Sequence, residues 1–95
     1  MALTFVLLTP EGEAKRLECD SVTLEARDND MGEGGGSFGI RRGHLPLIAA
    51  LKPGSEAKIS SGGRVIASLK ISDGFASVKN DTVTVICGRA EDIGP

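Results

Sequence analysis

The feature that most constrains the fold of this chain is its punctuation. Short β-prone runs, each closed by a turn sequence, recur roughly every ten positions, a rhythm that suits a sandwich or barrel. Thr4–Thr9 reads as a first strand, closed by Thr9-Pro10-Glu11-Gly12. Ala14–Ala26 follows, with Leu17, Cys19, Val22 and Leu24 as its apolar members. Their parity changes between Cys19 and Val22, which predicts two strands or a bulge around Asp20-Ser21. Ser37–Ile40 is a brief strand, Arg41–Leu45 a turn, and Pro46–Leu51 runs up to the turn Lys52-Pro53-Gly54. Ser61-Gly62-Gly63, between Glu56–Ser60 and Arg64–Ser72, is a hairpin signal, as is Asn80-Asp81 between Phe75–Lys79 and Thr82–Cys87. Ser72-Asp73-Gly74 turns the chain between them. Within Thr82–Cys87, Val83 and Val85 share one face while Thr82, Thr84 and Ile86 share the other.

No stretch holds a 3.6-residue period over three turns, and Gly88–Pro95 is too short for a stable helix. The fold class is therefore all-β, one single-domain sandwich with residues 1–87 as its core and 88–95 as a tail. The facing apolar residues predicted for the interior are Phe5, Leu7, Val22, Leu24, Ile48, Ile71, Phe75, Val83 and Val85.

Composition removes several functions. Three phenylalanines are the only aromatic residues, which leaves few rings on which bases could stack. No basic run is present to grip a phosphate backbone, so nucleic acid is not an expected partner. The net charge of −2 hides a contrast between an acidic residues 1–33 and a basic remainder, although a sandwich interleaves its strands and sequence halves are not faces. Cys19 and Cys87 have no ligand spacing around them, so they read as buried free thiols and no metal is expected. The apolar Phe5-Val-Leu-Leu8 is far too short to cross a bilayer and lacks the flanks of a signal peptide, which points to a cytosolic or peripheral chain.

Three motifs invite a chemical reading and fail on context. Gly34-Gly-Gly-Ser-Phe-Gly39 fits a phosphate-binding glycine pattern, but such a loop must open a helix whose amides hold the phosphate, and Pro46 and further glycines follow instead. Asp28-Asn-Asp-Met-Gly-Glu33 superficially fits a calcium loop, yet it has Gly32, Glu33 and Gly39 where an oxygen ligand, a glycine and the closing oxygen ligand are needed. His44 is the only histidine, and no Ser or Thr lies in a nucleophile motif that would use it. No catalytic residues and no cofactor are expected.

The segment Gly39-Ile-Arg-Arg-Gly-His-Leu-Pro-Leu-Ile-Ala-Ala-Leu-Lys-Pro-Gly54 carries a more specific signal. It resembles the Gly-Ile-x-x-Gly-His-x-Pro-Leu…Leu-x-Pro-Gly pattern of the N-terminal β-sandwich of F-type ATP synthase ε subunits. Leu3–Gly12 is similar to the family's first strand and turn. Asp73-Gly-Phe-Ala-Ser-Val78 and Asn80–Ile86 resemble its Gly-Gly-Phe-x-x-Val and Asn-x-Val-Thr-Val-Leu segments. The resemblance implies a ten-stranded, two-sheet sandwich without chemistry of its own. Such a subunit binds the rotating γ subunit, stands on the membrane c-ring and couples ion translocation to ATP synthesis.

Carried over by position, Gly39, Ile40, Gly43, His44, Pro46 and Leu47 are motif residues, with Pro53, Gly54, Gly74 and Phe75 as structural members. Arg41, Arg42, Gly43, His44 and Leu45 become the candidate contacts with γ or the c-ring, and the glycines are expected to provide positive φ or close approach. The implied location is peripheral, on the cytoplasmic face of the inner (plasma) membrane, touching lipid only through the ring. An isolated, soluble domain is expected to dimerise through its vacant γ-binding face.

This chain departs from the pattern at five places, one of them the Asp28–Gly36 loop, which is longer and more glycine-rich than the family's. Arg42 stands where many relatives have Pro, Ser37 where many have an acid, and Gly88 where Asp is usual. The helical hairpin that follows in most relatives is not part of this sequence, so no inhibitory arm is assigned. A second reading is a free-standing β-sandwich binding module that has lost the ATPase role; a small hydrolase or nucleotide-binding enzyme is a third.

Overall fold

The computed structural model describes residues 3–27 and 36–95. The calcium-like stretch of residues 28–33 and the start of the glycine loop lie outside the described residues. Ten strands follow in order: β1 (Leu3–Thr9), β2 (Gly12–Cys19), β3 (Ser21–Ala26), β4 (Gly36–Arg41), β5 (Leu47–Leu51), β6 (Glu56–Ser61), β7 (Arg64–Ile71), β8 (Gly74–Lys79), β9 (Thr82–Cys87) and β10 (Ala90–Asp92). The parity break at Asp20 resolves into two strands, β2 and β3, with Asp20 between them.

Hydrogen bonding joins all ten strands into one network in the order β10-β7-β6-β3-β5-β8-β9-β1-β2, with β4 on the free edge of β3. The link between β3 and β5 is a single register pair, Ala26 with Leu51. The network is therefore two layers: β5, β8, β9, β1 and β2 in one, and β4, β3, β6, β7 and β10 in the other. β1 and β9 run parallel and the other pairings are antiparallel. The far edges meet at a seam, where Lys15 Nζ of β2 lies 3.1 Å from Asp92 Oδ2 of β10. The Gly94 amide first, and Lys15 second, hold the Asp92 carboxyl below its ordinary range.

Period-2 alternation drives this packing, because successive side chains of a strand face opposite sides of its sheet. Leu3, Phe5 and Leu7 of β1 face inward, as do Val22 and Leu24 of β3, Ala57 and Ile59 of β6, Leu69 and Ile71 of β7, and Val83 and Val85 of β9. Two residues expected inside are not there. Phe75 is 58% exposed and Ile48 77% exposed. The reason is parity: β8 turns Ala76 and Val78 inward, and β5 turns Leu51 inward with Leu47 packed against the core, so their neighbours must face out.

The tail reading of residues 88–95 is also corrected. Ala90–Asp92 forms β10 on β7, pairing Ala90 with Ile71 and Asp92 with Leu69, and Ala90 packs against the core. Cys19 and Cys87 are buried free thiols, as expected from their strand settings.

Two irregularities adjust the strands. Between Leu7 and Leu8 the β1–β2 register slips, leaving Ala14 as the extra residue. A similar slip in β6–β7 leaves Ile66 extra, so Val65 and Ile66 are both exposed before Ala67 and Leu69 turn into the core. Such bulges bend a strand and increase its twist, which helps a sheet curl upon itself.

Candidate functional site

Each strand reverses the direction of the one before it, so the connections sort onto two ends of the sandwich. One end collects Asp20, the 41–46 connection, Gly62-Gly63, and Asn80-Asp81. This end holds the contact candidates. Arg41 closes β4, Arg42 and Gly43 form the turn, and His44, Leu45 and Pro46 lead into β5. The connection also crosses between layers, since β4 and β5 belong to different ones.

Local chemistry sets the turn. His44 N–H donates to the Arg41 carbonyl at 3.1 Å, closing a four-residue turn with Gly43 at its third position. Gly43 has φ +84°, the left-handed region that a type II turn demands there and that favours glycine. His44 Nδ1 lies 2.7 Å from the Leu45 carbonyl, to which it donates in the Nδ1–H tautomer. That bond braces the ring at one nitrogen, and His44 is half-buried while Arg41, Arg42 and Leu45 are exposed. Leu45 is 79% exposed.

Two aspartates overlooked in the sequence hold this end together. Gly43 N–H donates to Asp81 Oδ1 at 2.6 Å, and Gly62 N–H donates to Asp20 Oδ2 at 2.7 Å. Both carboxylates accept an amide from a neighbouring turn. Arg41, Arg42, Arg64 and Lys79 are exposed there and make no ion pair with another described residue. A shallow cleft of about 250 Å³ opens between Asp20, Ser21, Arg41, Ser60 and Gly63. No sequence motif announces these bonds, which join positions 38 and 42 residues apart.

The remaining motif residues act structurally. Ile40 is fully buried in the core and Leu47 packs against it. Pro53 and Gly54 occupy the Lys52–Ser55 turn, closed by Ser55 N–H to the Lys52 carbonyl at 3.1 Å. Gly74 fills the close-approach role: a Cβ there would collide with the Ile86 carbonyl oxygen and lie 2.9 Å from Cys87 Cβ. Gly39 meets neither expectation, since it lacks a positive φ and a Cβ there would touch nothing within 4 Å.

A second surface lies on the outer face of the first layer. Ala50 of β5, Phe75 of β8, Ile86 of β9 and Leu8 of β1 stand in one cross-strand row. Ile48 extends it, and a hollow of about 590 Å³ beside it is lined by Thr9, Pro10, Arg27, Phe75, Ile86 and Gly88. Period-2 parity in β8 and β9 was the signal that could have found this row.

The recorded bonds of His44 go to backbone partners in its own turn. Among the described residues no group of three His, Cys, Asp or Glu side chains could hold a metal ion, and no helix is long and apolar enough to cross a membrane. What the arrangement offers is surface: a basic turn end and an apolar outer row on a small all-β sandwich. Those features define a small all-β sandwich with two exposed surfaces, one basic and one apolar.

Comparison with known proteins gives the family. Residues 2–93 match the beta-sandwich domain of the ATP synthase Delta/Epsilon chain, and the chain belongs to that family. It is 30% identical over 91 residues to the ATP synthase epsilon chain of Frankia casuarinae, covering 96% of this chain and 98% of that one. To the epsilon chain of Myxococcus xanthus it is 33% identical over 91 residues, spanning 60% of that protein's length. The epsilon chain of Bacillus thuringiensis is 33% identical over 86 residues, 90% of this chain and 58% of that one.

Among solved structures, a chain of the Euglena gracilis mitochondrial ATP synthase superposes with a TM-score of 0.74 at 22% identity, covering 96% of this chain and 53% of that one. A Tetrahymena thermophila counterpart gives 0.66 at 18%, covering 94% and 65%. These last two likenesses establish the fold.

Proposed function

We propose that this chain is a non-catalytic central-stalk subunit of a rotary ATP synthase. It joins the γ subunit to the membrane c-ring and so couples ion translocation to ATP synthesis. The observation that carries the reading is the match of residues 2–93 to the Delta/Epsilon β-sandwich family. The structural neighbours support it, being parts of an OSCP/F1/c-ring assembly and of a central stalk/c-ring assembly.

A rotor element must hold two bodies at once, and two separate surfaces are available for this. The basic 41–45 turn suits polar, carboxylate-bearing loops, where charge complementarity fixes orientation and speeds docking. The Ala50–Phe75–Ile86–Leu8 row is the kind of apolar surface that a lasting partner covers. In the absence of that partner, the same row is where two copies would pair. The complex sits peripherally at the cytoplasmic side of the membrane in this reading, touching lipid only through the ring.

Co-expression with the γ subunit of the same operon, followed by size-exclusion chromatography and mass determination, tests the reading. A stable one-to-one complex is expected. A folded monomer that ignores γ would move the chain to a free-standing binding module.

A further inference from the structure

The Arg41–Leu45 turn crosses from one layer to the other, so its position relative to β1, β8 and β9 needs a tether. Among the described residues the only side chain bonded to the turn from outside it is Asp81, at 2.6 Å from the Gly43 amide. Asp81 is itself well anchored. It shares the two-residue hairpin with Asn80, at φ +56° and +50° respectively. The strand pair on either side is registered by Lys79 with Thr82. Its carbonyl accepts the Thr4 N–H at 2.9 Å, so the same residue also grips the start of β1. One backbone oxygen and one carboxylate oxygen thus connect three segments distant in sequence.

We propose that Asp81 is a positioning residue for the docking turn: its carboxylate fixes the Gly43 amide, and through it the direction in which Arg41, Arg42 and Leu45 face a partner. The inference rests on the reading of that turn as a docking surface. The physical argument is preorganisation. A turn held in its bound shape loses little conformational freedom on association, whereas a loosened one must be ordered at that moment. Asp81 is half-buried and makes no ion pair with another described residue, so its carboxylate has the amide as its recorded partner at this end.

The test uses the full chain and two variants. Asp81→Gly keeps a residue that tolerates left-handed backbone but removes the acceptor. Asp81→Asn keeps an amide oxygen acceptor and tolerates the same backbone. Amide hydrogen exchange by NMR reports on Gly43 and Thr4. Affinity is measured against the γ–c-ring complex of the same organism, with Arg41→Glu/Arg42→Glu as a separate variant.

The expected result is about tenfold faster exchange at Gly43 in Asp81→Gly, the scale of one lost charge-assisted hydrogen bond. Thr4 should keep its protection, and affinity should fall by a similar factor. Asp81→Asn should restore most of both. Unchanged Gly43 exchange in a folded Asp81→Gly protein overturns the inference. So does a loosened turn that binds with undiminished affinity while Arg41→Glu/Arg42→Glu binds weakly, a result that leaves the docking reading standing. If the double arginine variant binds as well as the parent, the docking reading fails and the positioning role falls with it. Should Asp81→Gly fail to fold, Asp81→Ser supplies the same comparison; unchanged Gly43 exchange in that variant, whose shorter side chain cannot reach as far, would likewise overturn the inference.

Discussion

Substituting Gly74 by alanine gives the sharpest test of how the first layer is packed. Gly74 opens β8 opposite Cys87 in β9, and an added Cβ would sit 2.9 Å from Cys87 Cβ and 3.0 Å from its Cα, with the Ile86 carbonyl oxygen nearer still. Carbon atoms prefer about 3.5–4.0 Å, so relief requires the strands to part by something near an ångström. β9 is poorly able to yield, because it is paired with β8 on one side and with β1 on the other.

Overpacking of this sort costs about 1–3 kcal/mol, and loosening one ladder hydrogen bond adds about 1 kcal/mol. The reduced freedom of the unfolded alanine chain returns about 0.4–1 kcal/mol. The net expectation is a loss of roughly 2–3 kcal/mol, equivalent to roughly 10–20 °C in Tm for a domain of this size. Urea and thermal unfolding followed by far-UV circular dichroism would measure it. Gly39→Ala is the internal control. It has open space around it and no positive φ, so alanine in its strand should be neutral or slightly stabilising. If Gly74→Ala unfolds within about 0.5 kcal/mol of the parent, the close-approach argument is wrong.

Four further expectations follow from the same geometry. Arg41→Glu with Arg42→Glu should leave the unfolding midpoint nearly unchanged while weakening assembly with stalk partners, read by co-elution and by coupled proton pumping in reconstituted enzyme. Arg42→Pro should stabilise the domain by about 0.5 kcal/mol in urea titration, since proline suits the second position of this turn and presets its φ. Phe5→Ala, at a fully buried ring, should cost about 3–5 kcal/mol in chemical denaturation, whereas Phe75→Ala on the outer face should cost less than about 1 kcal/mol yet reduce capture of a partner.

Burial raises the Cys87 thiol and, with help from Asp20, the Cys19 thiol above the ordinary 9.0. A raised folded pKa means that the unfolded chain loses its protons first. Stability should therefore hold below pH 9 and decline as the pH climbs through the folded values, and Cys19→Ser/Cys87→Ser should flatten that alkaline decline in urea midpoints measured against pH.

Strand positions were legible wherever alternation ran against clear turn chemistry. Val83 and Val85 against Thr82, Thr84 and Ile86 announced the inward face of β9, and the turn pairs placed both later hairpins. The errors came from ranking residues by size in place of parity. Phe75 is bulkier than Ala76, and Ile48 looks as apolar as Leu47, yet in each strand the smaller or neighbouring residue faces the core and the larger one faces out. β10 was hidden for a different reason. Ala90-Glu-Asp92 is short and mostly polar, and its pairing with β7 is a tertiary event with little local pattern. The motif marks the 41–45 turn by position, but the bond that ties this turn to Asp81 joins residues 38 apart. Asn80-Asp81 could be read locally only as a hairpin.

The two layers share one backbone register pair, Ala26 with Leu51, while the seam opposite is spanned by the side chains of Lys15 and Asp92. Mechanically, this makes the domain a laminate. Stretching within a layer loads whole ladders of hydrogen bonds in parallel, but sliding one layer over the other loads chiefly the interlocked side chains between them. A force entering through the 41–46 connection passes into both layers at once, because its two ends continue as β4 in one and β5 in the other. Twist applied there is divided between the two plies at its point of entry.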